Sequence, residues 1–111
     1  MISFDEIEKV FSYDTAKHND FCIEIEFNVF DDLEFKGCWM GKMPDKENEG
    51  KFIYWYGLKE DGSGAYDYNN FENFASDPVF KGKSLKDISS RIELLSIDGC
   101  KPEERLPHFL K

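Results

Sequence analysis

The chain is short of basic residues. Its 111 residues include 14 Lys and Arg against 23 Asp and Glu, a net charge of −9. Contact with a phosphate backbone requires a basic footprint, so nucleic acid is not expected as a partner. An acidic surface instead suits a basic partner, or solubility alone. Apolar runs are short: none approaches the length that spans a bilayer, and no membrane contact is expected. Cysteine is sparse as well. Cys22, Cys38 and Cys100 are odd in number and far apart, with no CxxC pair. That spacing predicts reduced thiols, not a disulfide framework or a zinc site. The opening MISFDEIEKV carries neither a basic leader nor an apolar stretch, so a cytoplasmic location is expected.

Catalytic signatures are missing too. His18 and His108 have no second ligand at helical or hairpin spacing. DGSGAYDYNNFE alternates acids and glycine like a calcium loop, but its sixth position is Tyr66, where that loop requires glycine. No GxSxG elbow occurs, and GKMPDKENEGK and KGKS lack the phosphate-loop spacing. No cofactor, metal or enzymatic activity is expected.

What the chain does contain is alternation. In DFCIEIEFNVF, Phe21, Ile23, Ile25, Phe27 and Val29 point one way, and Cys22, Glu24, Glu26 and Asn28 the other. This is the period of a half-buried strand in an antiparallel sheet. EFKGCWMGK is predicted to return as a second strand through a tight turn at Asp31 and Asp32. KFIYWYGLK and AYDYNNF follow as strands joined across the glycines of EDGSG. Ser3 with Glu6 predicts a capped helix over about 3–13, preceding the polar stretch 15–20. Ser84 with Asp87 caps a second helix, with Leu85, Ile88 and Ile92 at helical spacing. NNFENFASDPVF reads as a short helical turn, RIELLSIDG as a last strand, and CKPEERLPHFLK as an irregular docked tail. Helices flanking clustered strands predict one α+β domain over 1–111. Its antiparallel sheet has four to five strands, with two main helices packed on one face.

Two features point beyond the core. Glu24 and Glu26 share one face of the first strand, and Asp31, Asp32 and Glu34 continue a run from Asp20 that holds six acids and no base. A solvated strand face that resists edge-to-edge aggregation is the structural alternative. Residues 51–74 hold eight of the eighteen aromatic residues. Tyr54, Trp55 and Tyr56 are consecutive and cannot all face one core, and Tyr and Trp dominate binding energy at protein interfaces.

With this acidic hairpin, the aromatic strand and FKGKSLKDISSRIELLSIDG, the chain resembles a family of small acidic immunity proteins. Bacteria encode these beside secreted toxins of contact-dependent inhibition and other polymorphic toxin systems. The resemblance is one of size, charge and α+β composition over the whole chain. It implies a cytoplasmic, non-enzymatic protein that neutralises a cognate basic toxin domain, often a nuclease. Glu24, Glu26, Asp31, Asp32 and Glu34 are then expected to meet the partner's Lys and Arg, with Trp55, Tyr66 and Tyr68 as anchors. A small-ligand binding module using the aromatic belt as a pocket is the second expectation.

Overall fold

The computed structural model describes residues 2–13, 15 and 22–110. Its elements run α1 (Phe4–Ser12), β1 (Ile23–Val29), β2 (Cys38–Pro44), β3 (Phe52–Gly57), β4 (Ala65–Tyr68), α2 (Phe71–Ser76), α3 (Leu85–Ile88), β5 (Ile92–Ile97) and α4 (Pro102–Phe109). A 3₁₀ turn, Ser89–Arg91, joins α3 to β5. The five strands form one antiparallel sheet in the order β4-β3-β2-β1-β5. The α+β class with an antiparallel sheet is therefore as the sequence predicts, with four helices among the described residues where two main ones were expected.

Local chemistry sets the element ends. Ser3 and Glu6 form a reciprocal capping box on α1, and Ser84 with Asp87 does the same on α3. Asn70, two residues past the end of β4, caps α2 by accepting from the Asn73 N–H at 2.8 Å. Gly62 adopts φ +83° in the turn between β3 and β4, a conformation that a Cβ would oppose.

The period-two face of β1 is the sheet's inner face. Ile23, Ile25, Phe27 and Val29 are buried with Cys38 and Met40 of β2, Tyr56 of β3, and Ile92 and Ile97 of β5. The helices add Ile7, Val10, Phe11, Phe74, Leu85, Ile88 and Phe109 to this same core. Tyr56 stacks on Phe74 with centroids 4.2 Å apart, and its hydroxyl donates to the Phe74 carbonyl at 2.6 Å. Phe21, His18 and Asp20 lie outside the described residues.

Three boundaries differ from expectation. The second strand begins at Cys38, because Phe35 turns into the core against the Phe80 ring and residues 30–37 form a braced loop, not a tight turn. Ile92 opens β5 and does not continue the helix that precedes it. The expected irregular tail contains α4, since Pro102 stands at the helix start, where its missing N–H is not needed.

Candidate functional site

Antiparallel register sorts the side chains of the sheet. All buried positions named above fall on one side; the alternate positions form a second face that the helices leave open. Across it, Glu24, Gly41, Trp55 and Asp67 stand in one row on β1 to β4, and Glu26, Trp39, Gly57 and Ala65 in the next. Met43 and Ile53 pair beyond them. On β5, Glu93 stands opposite Asn28 on the same side, so both tryptophans of the chain share this face with four carboxylates.

The glycines explain how the indoles lie. A Cβ placed on Gly41 would meet Trp55 Cζ2 at 2.4 Å, so the Trp55 ring lies on the β2 backbone. Gly57 is looser: its Cβ would stand 3.8 Å from that of Trp39 and 3.9 Å from Trp55 Cζ3. Cross-strand aromatic cover of glycine compensates for the side chain that the strand lacks. Trp39 is 37% exposed and Trp55 half-buried.

Lys36 reaches Glu93 at 3.9 Å, and the other three charges on this face are open. Among the described residues, no cation pairs with Glu24, Glu26 or Asp67. Glu26 accepts only a long bond from Ser96 Oγ at 3.5 Å. Asp31, Asp32 and Glu34, expected in the same patch, sit in the loop at the end of the sheet. There Lys81 Nζ lies 3.1 Å from Asp32 and 3.6 Å from Glu34. Desolvation opposes the charge on Asp32, but the Glu34 N–H and Lys81 outweigh it and hold the carboxyl below its ordinary value. At the tip of this loop Leu33 is 92% exposed.

Tyr66 and Tyr68 stand on the helix side of β4, opposite Tyr56 and Tyr54. The Tyr68 ring meets Tyr56 and Phe74 edge-on, and its hydroxyl donates to the Asp77 carboxylate. Burial first, then that bond, pushes the Tyr68 phenol up. Tyr68 is thus a structural tie between β4 and the end of α2, whereas Tyr66 is exposed at the sheet edge. The eight expected residues therefore separate into three groups, of which only Glu24, Glu26 and Trp55 share the open face. Trp39 and Asp67 belong with them and were passed over. Both follow from the same alternation: Cys38 and Met40 inward put Trp39 outward, and Trp55 outward puts Asp67 beside it.

Other chemistry is spread thin. Among the described residues, no three His, Cys, Asp or Glu side chains gather to hold a metal. His108 shares a 2.8 Å hydrogen bond with the Tyr13 hydroxyl. Cys22, Cys38 and Cys100 are free thiols. On the helix side, Phe11, Tyr54 and Phe71 line an open cleft of about 430 Å³ with Asp5, Glu8, Lys9 and Ser12. No helix of the described residues is long and apolar enough to cross a membrane. No family model, curated protein or solved structure matches the chain.

Proposed function

We propose that this is a non-enzymatic binding protein that neutralises a basic protein partner, as the resembling immunity proteins neutralise toxin domains, in the cytoplasm. The observation that carries this reading is the open sheet face: two indoles and three carboxylates without internal cations, on the side that the helices leave uncovered. Aromatic groups with little rotamer freedom supply contact area, and unpaired acids attract a basic surface and raise the rate of encounter. The loop acids contribute less, because Lys81 already offsets two of them.

The test is association kinetics with the product of the adjacent open reading frame in the source genome, with that protein's toxicity as a second readout. Reversing Glu24, Glu26 and Asp67 to Lys is expected to slow association about tenfold or more and to remove most of its salt dependence, leaving the fold intact. Truncating Trp55 or Trp39 is expected to raise the off-rate, at a cost of roughly 2 kcal/mol. A triple reversal that binds and protects like the wild type removes this face from the mechanism. Absence of binding by the wild-type protein counts against immunity itself, and the cleft beside Tyr54 then becomes the place to seek a small ligand.

A further inference from the structure

We infer that Trp55, with Glu24 beside it, forms a seat for an arginine side chain of the partner; this rests on the basic-partner reading above and specifies its chemistry.

Three observations converge on this row of the sheet. The first is the attitude of the ring. Trp55 Cζ2 and Cε2 lie 2.4 and 2.6 Å from where a Gly41 Cβ would stand, so the indole fills the place of that side chain over β2 while Trp55 stays partly exposed. No other aromatic ring of the described residues is paired with it. The second is position. The ring extends from β3 towards β1, and Glu24 stands directly opposite Gly41. One strand spacing, about 4.8 Å, separates the backbone under the indole from that of Glu24. With no side chain at position 41 between them, a flat cation on the indole has the Glu24 carboxylate at its edge. The third is the contrast with the rest of the fold. Lys42, Lys81, Lys86 and Arg105 all lie over Phe or Tyr rings, yet no cation of the described residues lies over either tryptophan. Tryptophan is the strongest of the aromatic cation acceptors.

The seat favours guanidinium over ammonium. A guanidinium stacks its plane on the indole while its N–H fork meets a carboxylate at the edge; an ammonium is a compact, strongly hydrated point charge that gains less from either contact. A second copy of this chain is a poor occupant. Its two arginines are engaged at home, Arg91 on the Phe30 carbonyl at 2.9 Å and Arg105 on Asp98 at 3.3 Å.

The experiment follows the two indole N–H resonances of the isotopically labelled full chain, at physiological salt. The probes are the blocked tripeptides acetyl-Gly-Arg-Gly-amide and acetyl-Gly-Lys-Gly-amide. The arginine peptide is expected to shift the Trp55 resonance and to bind about threefold or more tightly than the lysine peptide. Glu24→Gln, an exposed change, is expected to weaken arginine binding about two- to fivefold. Trp55→Leu is expected to abolish the preference, and Glu24→Gln carries the test if that variant does not fold. Equal responses to the two peptides, a response confined to Trp39, or none at Trp55 overturns the seat. So does a Trp55 shift that depends on protein concentration alone, which would identify a second copy as the occupant. Partner binding measured by charge reversal remains a separate result, so the seat can fail while the basic-partner reading stands.

Discussion

The Lys42 ammonium lies 2.9 Å from the Phe11 carbonyl oxygen, inside the core at the end of α1. It also donates to the Tyr13 carbonyl at 3.0 Å and sits 4.3 Å above the centre of the Phe52 ring. The side chain is only 4% exposed, although its strand neighbours on the same face, Met40 and Ile23, are apolar. A helix end leaves carbonyl groups without partners and carries partial negative charge; Lys42 answers both needs from the sheet beneath.

Lys42→Met keeps the stem and loses the donors. It is expected to destabilise the fold by about 1–3 kcal/mol, because buried carbonyls lose a charged partner. Urea unfolding measures this, and an unchanged midpoint would show that the contact does not hold α1 on the sheet.

Gly41→Ala and Gly57→Ala form a matched pair. At 41 a methyl group meets the Ile23 carbonyl oxygen at 2.3 Å as well as the Trp55 ring, so the backbone or the indole must move. The expected cost is about 1–3 kcal/mol, with a changed Trp55 indole resonance. At 57 the nearest atoms are at ordinary contact distance. That variant is expected within about 1 kcal/mol of wild type, since alanine also restricts the unfolded chain. Equal losses at the two sites would mean that Trp55 does not lie as described.

The alternation of β1, the capping boxes and the turn glycines were legible because each is a local rule with one outcome. Other features depended on distant partners. Phe35 reads as a strand residue until the Phe80 ring is placed beside it, and only then does the loop at 30–37 make sense. Pro102 and Pro107 read as helix breakers, yet Pro102 starts α4 and Pro107 costs that short helix a single donor. Lys42 carries no sign in its own segment that it will be buried. The candidate site was half legible. The acids of β1 and the outward Trp55 followed from period two, but the split of the acidic run depended on Lys81, which is distant in sequence.

Thiol reactivity tests the core assignment. Cys22 and Cys100 are exposed and Cys38 is buried, with its thiol 3.4 Å from the Leu58 carbonyl oxygen. A thiol reagent is expected to modify Cys22 and Cys100 in the native protein and Cys38 only on unfolding. Burial, with a smaller push from Asp32, raises the Cys38 thiol from 9.0 to about 11. The neutral thiol therefore favours the folded state below pH 9, and this contribution is lost as pH rises from about 9 to 11. Cys38→Ala is expected to flatten that part of the stability–pH curve; an unchanged slope would assign it to other groups.

Lys81→Gln tests the loop pair. Removing the ammonium is expected to let the Asp32 carboxyl rise towards its ordinary value of 3.8, as measured by carboxyl-carbon NMR titration. In the wild type the depressed value stabilises the fold above that pH, and the contribution is lost as pH falls through the folded-state value. If Asp32 titrates identically in the variant, the Glu34 N–H, with a smaller push from Arg91, accounts for the depression.

The pairing of β5 with β1 also sets an order of events during synthesis. A nascent chain completes β1 to β4 as a meander of sequential neighbours well before residues 92–97 emerge from the ribosome. Until then β1 is an edge strand, with its outer N–H and C=O groups unpaired and an apolar inner face beside them. Such an edge templates pairing with other chains, and closure across this much sequence is slow. Chaperone occupancy and aggregation should therefore peak for chains released or stalled between Tyr68 and Ile92, and fall once Ile97 reaches Ile25.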